Sequence, residues 1–239
     1  MGFWESADLI PHSLNISDAQ SLTISNSQSM TITVTLVIIV ITVIFSWLAF
    51  NNRDLFLKFM HYPYEEHRDK EYYRWVTSVF LHGSWLHLAI NMFVLWSFGT
   101  FIESVFVELF GVTMGRINFL SLYLLSGVFA DIPTYFKHKN NQSFSSVGAS
   151  GATSGIMFAF ALLLPWEKIY LFGVIPIPAI VAAVLYLVYS SYSARQEAGS
   201  RIDHEAHFWG AVFGFAFTVA LKPALFTSFL NQVVNGLPF

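Results

Sequence analysis

Two stretches of this 239-residue chain bring together the residue types that acyl transfer requires. The first, Ser146-Val147-Gly148-Ala149-Ser150-Gly151-Ala152-Thr153-Ser154-Gly155, sets hydroxyls among small residues inside an apolar segment. The second, His204-Glu205-Ala206-His207-Phe208-Trp209-Gly210-Ala211-Val212-Phe213-Gly214, sets imidazoles ahead of two glycines. A serine hydroxyl attacks a peptide carbonyl only when a base takes its proton. Imidazole, with an unperturbed pKa of about 6.5, suits that task near neutrality. Ser150 is therefore the candidate nucleophile and His207 the candidate base. Each also has a plainer reading: Ser150 as one more small residue in a packing seam, His207 as a hydrated histidine at a membrane surface.

For the two to meet, two helices must approach closely. Small residues four apart permit this in membranes, and both Gly151 with Gly155 and Gly210 with Gly214 have that spacing. On a helix His207 shares a face with Gly210 and Gly214, so docking of the two glycine faces brings imidazole beside hydroxyl. Ser150 falls where its span begins, and the free N–H groups of a helix start favour a developing anion. The run from Gly148 to Ala152 lacks the glycine two positions after serine that the soluble-hydrolase elbow needs. His87 and Asn91 are four apart and stack on one face of another span. They could donate hydrogen bonds to an oxyanion together with the Ser150 N–H, although alone they read more simply as helix–helix hydrogen bonding.

His204 and His207 are three apart, whereas the metalloprotease helix needs histidines four apart, so no metal site is expected. Glu205, two positions before His207, points elsewhere and is a poor third member of a triad. Arg74 and Glu103 flank the second span, where a buried pair between them would pin the preceding loop.

Composition identifies the solvent. The chain is 55% hydrophobic and 11% charged, with a mean hydropathy of +0.56. Soluble domains carry roughly 25% charged residues, so this is an integral membrane protein in contact with lipid. The formal net charge of −3 and the lack of a basic run speak against nucleic acid. Without cysteine there are no disulfides and no thiolate chemistry. Residues 1–31, with no basic start or early apolar core, read as a flexible polar tail rather than a cleaved leader. Six spans follow between residues 32 and 222: Ile32–Phe50, Trp85–Ile102 closed by Glu103, Ile117 to about Ala130, Val147 to about Trp166, Ile169–Tyr192 and Ala206–Leu221. Residues 51–84 form an interfacial loop, and residues 223–239 are a tail along the interface.

Taken in order, these features resemble the rhomboid intramembrane serine proteases, from about Tyr73 to Gly214. The match consists of Arg74 to Thr77, His82, His87, Asn91, Gly99, Glu103, Gly148-Ala149-Ser150-Gly151-Ala152, and His207 with Gly210 and Gly214. The resemblance implies an all-α bundle of six transmembrane helices with a half-embedded first loop around Arg74. It further implies a Ser150–His207 dyad without an acidic member, and an oxyanion hole of His87, Asn91 and the Ser150 amide. A cavity open to the extracytoplasmic side, substrate entry between the second and fifth spans, and no cofactor are also implied. Two positions depart from the pattern. Tyr73 replaces a tryptophan, and Ser154 stands where an aromatic usually packs on the catalytic imidazole, a place Phe158 or Trp209 could fill.

The expected function is cleavage of membrane-spanning protein substrates in a cell membrane, plasma or inner. The alternative is an inactive relative that binds membrane proteins, and a histidine-lined channel or transporter is the more remote rival. The sequence leaves oligomeric state and orientation open. The resemblance puts the loops after spans one, three and five outside, yet they hold Arg53, Lys58, Arg68, Lys70, Arg74, Lys137, Lys139, Arg195 and Arg201. The other side has only Arg116, Lys168 and Lys222, the reverse of the positive-inside bias.

Overall fold

A computed structural model describes residues 32–171, 174–194 and 203–236. The expected tail over residues 1–31 lies outside these, as do Arg195 and Arg201. Residues Thr33–Phe239 make one compact unit that is mostly helical. The first apolar helix, α1 (Val34–Phe50), starts at Thr33, whose side chain accepts the Leu36 N–H as an N-cap. Short helices α2 (Arg53–Phe59), α3 (Pro63–Asp69) and α4 (Arg74–Thr77) build the first loop. Helix α5 (Trp85–Phe110) follows, then α6 (Val112–His138), α7 (Ser150–Leu163), a hairpin of β1 (Lys168–Leu171) and β2 (Ile175–Pro178), and α8 (Ala179–Ala194). Helices α9 (His204–Leu221) and α10 (Ala224–Asn235) close the chain, bent by 114° at Pro223.

By length and apolarity α5 and α6 are each long enough to cross a membrane, and α9 with α10 passes as a bent pair. Helices α1 and α7 and the Ala179–Tyr192 portion of α8 are apolar but shorter. With many exposed apolar side chains on α1, α5 and α8, this is a multi-pass membrane protein whose outer surface faces lipid.

Three expected span boundaries differ. Helix α5 does not close at Glu103: it passes through a π turn at Leu95–Gly99 and runs on to Phe110. Glu103 is buried, and its carboxylate accepts the N–H groups of Val34 and Thr35 and the Thr35 hydroxyl, each within 2.8 Å. It satisfies the free start of α1, so it has no need of water and does not end its own helix. Helix α6 likewise runs through Asp131 and Pro133. Buried Asp131 accepts from the Ser78 hydroxyl at 3.3 Å, and Pro133 removes one helical hydrogen bond and crowds the Phe129 carbonyl without ending the helix. The expected fifth span begins ten residues late, because Lys168–Pro178 is an antiparallel hairpin. Pro176 and Pro178 alternate there, which suits an exposed strand and not a helix interior.

The core gathers where α6, α7 and α9 meet, with Phe119, Leu122, Tyr123, Ala152, Ile156 and Ala211 fully buried. Helix α7 is enclosed nearly all round, from Gly151 to Leu162. A helix buried on every side needs small faces to be approached from several directions, which explains its glycine and alanine content.

Candidate active site

The nucleophile candidate sits at a helix start built by its neighbours. Gly148 has φ of +134°, and a Cβ there would come within 2.6 Å of His87 Cε1, so only glycine fits. Its N–H donates to the Ser78 carbonyl at 3.1 Å. The Ala149 N–H points to His82 Nε2 at 3.4 Å, while His82 Nδ1 lies 3.0 Å from Ser46 Oγ, itself 2.9 Å from the Phe80 carbonyl. With Nε2 accepting, Nδ1 carries the proton and donates to Ser46. Burial and the neighbouring His87 hold the His82 pKa down to about 3, so it acts as a neutral strut. The sequence pattern includes His82 without assigning it this job, which only the packing against Ser46 and Ala149 reveals.

Helix α7 then begins at Ser150, half-buried, with Gly151 beyond it. The first bond of the helical pattern runs from the Thr153 N–H to the Ala149 carbonyl at 2.8 Å. The N–H groups of Ser150, Gly151 and Ala152 precede it and lie at the positive end of the helix dipole.

Helix α9 packs against this start. A Cβ on Gly210 would meet the Gly151 backbone, and one on Gly214 the backbone of Gly155. Cβ atoms on Gly151 and Gly155 would run into Ala130 and Ser126 of α6, so α7 is gripped from two sides. His207 lies one turn before Gly210 and stacks on the Tyr186 ring, with centroids 6.0 Å apart and planes at 21°. His204 meets it edge-on at 5.7 Å. Among the described residues the Ser150 hydroxyl and the His207 imidazole share no hydrogen bond. Their helices touch backbone to backbone within one turn of both, and such bonds are often loose in substrate-free sites.

The oxyanion candidates reach the same spot from α5. Ser84 caps that helix by accepting the His87 N–H at 3.2 Å. The His87 ring lies over Gly148, two residues before Ser150, and edge-on to His82 at 5.0 Å. Buried Asn91 accepts the Thr153 hydroxyl at 3.0 Å on Oδ1 and donates from Nδ2 to the His87 carbonyl at 3.0 Å. That fixes the amide orientation and leaves the second Nδ2 proton for another acceptor.

Arg74 and Glu103 do not pair with each other, contrary to the sequence expectation. Buried Arg74 binds Glu65 at 2.6 Å, Glu71, and the carbonyls of Leu57 and Met60, which ties the first loop to itself. Glu103 caps α1 and lies 3.7 Å from Arg116. The two groups are held apart because Arg74 lies on α4, before α5 begins, whereas Glu103 lies well along α5. Glu205 binds Lys137 at 2.8 Å, away from His207. Neither Phe158 nor Trp209 takes the aromatic place beside His207. Trp209 is exposed and packs on Phe208, and the ring on His207 comes from α8 instead. Among the described residues no cluster of three histidines or carboxylates could hold a metal.

A family model described as Rhomboid domain matches residues 69–224. The relatives include "Presenilin-associated rhomboid-like protein A, mitochondrial" of Danio rerio, 33% identical over 144 residues, 58% of this chain and 35% of the relative. "Rhomboid protein 1, mitochondrial" of Saccharomyces cerevisiae is 33% identical over 144 residues, 58% of this chain and 39% of the relative. "Rhomboid-like protein 11, chloroplastic" of Arabidopsis thaliana is 30% identical over 164 residues, covering 63% and 53%. The matched part is thus between about a third and a half of each relative's length.

Proposed function

Because the chain belongs to the rhomboid family, we propose that it is an intramembrane serine endopeptidase acting through Ser150 and His207. The observation that carries this reading is the contact of Gly151 with Gly210. It sets the first turn of α7 against the second turn of α9, one turn beyond His207. In the proposed reaction His207 takes the Ser150 proton as Oγ bonds to a peptide carbonyl carbon. The Asn91 amide, His87 and the Ser150 N–H stabilise the oxyanion. The proton then passes to the leaving amine, and water releases the acyl group from Ser150 by the reverse sequence.

The half-burial of Ser150, His87 and His207 supports access of water to this point. The six helices α1, α5, α6, α7, α8 and α9 are the proposed spans, with residues 32–222 as the protease domain and α10 lying along the interface. Substrates are membrane-spanning proteins. The relatives' printed names are mitochondrial or chloroplastic, so an organelle membrane stands beside the plasma or inner membrane expected from sequence, and fractionation distinguishes them. Ser150→Ala is expected to abolish both cleavage of a model membrane substrate and labelling by a fluorophosphonate. Undiminished cleavage by that variant would end the proposal.

A second reading, an inactive relative that binds membrane proteins, draws on the missing Ser150–His207 hydrogen bond. Absence of labelling in the parent chain, with folding intact, would favour it.

A further inference from the structure

Ser154 lies one turn after Ser150 on α7 and is buried. Its hydroxyl is 2.6 Å from the Ser150 carbonyl and 2.6 Å from the Tyr186 hydroxyl. Ser154 has a single proton to give. With that proton on the Ser150 carbonyl, the Tyr186 hydroxyl must be the donor in the second bond. A hydrogen-bond chain therefore runs from Tyr186 through Ser154 to the backbone of the proposed nucleophile. The ring of the same side chain lies offset and nearly parallel to the His207 imidazole, with centroids 6.0 Å apart and planes at 21°. One tyrosine on α8 thus touches both the nucleophile's helix and the base.

The glycine contact between α7 and α9 sets how far apart the two backbones are. It leaves the rotation of the His207 ring undetermined, and terminal torsions of this kind are broad. A base works only with its nitrogen aimed at the proton it takes. Something must therefore hold the ring plane. His204 supports one edge at 84°, and Tyr186 covers a face. On α8 the neighbours Val184, Leu185, Val188, Tyr189 and Tyr192 are all exposed, whereas Tyr186 turns inward. We propose that Tyr186 is the positioning residue for the His207 imidazole, anchored through its hydroxyl to Ser154. The assignment rests on the reading of Ser150 and His207 as nucleophile and base. Because the ring comes from α8, a displacement of α8 would also release the imidazole.

The test uses the full chain in detergent, a model transmembrane substrate and a fluorophosphonate, with Tyr186→Phe and Tyr186→Leu beside the parent. Tyr186→Phe keeps the ring and loses one hydrogen bond, so kcat is expected to fall no more than about fivefold. Tyr186→Leu removes the ring, and kcat and labelling rate are expected to fall about tenfold or more below the Phe variant, with KM within about twofold of the parent. If Tyr186→Leu loses its melting transition, Tyr186→Met, unbranched and more adaptable in filling the gap, takes its place. Parental kcat in the ringless variant, equal losses in both variants, or a change confined to KM overturns the inference and leaves the endopeptidase reading standing. A parent that neither labels nor cleaves overturns both.

Discussion

At the scale of single residues, the site is a set of constraints on where a few polar atoms point. Gly148 has a backbone conformation that disfavours side chains and lies against the His87 ring. Gly148→Ala must either push that ring away or shift the turn before Ser150. It is expected to cut fluorophosphonate labelling by about tenfold or more while the helical content stays intact. Thr153 acts more gently, since its hydroxyl fixes the Asn91 amide. Thr153→Val should lower kcat about fivefold, the worth of one hydrogen bond, and leave KM unchanged.

Two histidines outside the spans make the folded state sensitive to pH in opposite directions. Burial alone would depress His61. The carboxylates of Asp131 and Glu66 outweigh it, Glu66 accepting from Nδ1 at 2.8 Å, and raise its pKa to about 9. Its contribution is complete below about pH 6.5 and is lost as pH rises through about 9. His82, depressed to about 3, does the reverse: its contribution is complete above about pH 6.5 and is lost as pH falls towards 3. The melting temperature in detergent should peak near neutrality and decline by a few degrees, about 2–4 °C per kcal/mol lost, on each side. His61→Gln should flatten the alkaline limb alone.

At the scale of elements, the grip of α6 and α9 on α7 leaves no room for side chains at the crossing points. Gly214→Leu would drive a side chain into the backbone of Gly155. Backbone cannot give way as a flexible side-chain end can, so stability and labelling should fall together. Gly111 is the matched control. It has φ of +79° with no atom within 4 Å of an added Cβ. Gly111→Ala meets no atom but pays a backbone penalty of about 1–3 kcal/mol, because φ of +79° with ψ of 163° is a conformation nearly reserved for glycine. It should lower the melting temperature and still label like the parent. The outcome to look for is the contrast between the two variants in one thermal-melting and labelling series. Equal effects would mean that the α7–α9 contact is not what sets the active geometry.

At the scale of the whole molecule, long-range polar ties hold parts that are distant in sequence. Glu103 joins the start of α1 to the middle of α5 and approaches Arg116 of α6. Glu103→Ala leaves two N–H groups and a hydroxyl buried without their acceptor and is expected to cost about 3 kcal/mol, read as a lower melting temperature. Helix α10 is fastened by the Trp166 indole to the Gln232 carbonyl at 2.8 Å and by the Gln232 amide to the Leu163 carbonyl at 3.1 Å. These bonds hold the end of α7 opposite Ser150, so removing residues 224–239 should lower the melting temperature without abolishing labelling.

The sequence by itself determined the solvent, the approximate positions of the apolar helices and the meeting of two glycine-faced helices. These features are written in composition and in four-residue spacing, which are local. It also put Ser150 and His207 at helix starts, since small residues and polar heads stand out in an apolar chain. It did not determine where buried charges find partners. Glu103 and Asp131 look like helix ends until a distant segment supplies hydrogen bonds that let the helix continue. Nor could it tell which tyrosine of α8 turns inward. In a helix apolar on every face, Tyr186, Tyr189 and Tyr192 read alike. Only the packing of α8 against α7 and α9 puts Tyr186 on the imidazole, because that choice depends on surfaces that three separate segments create together.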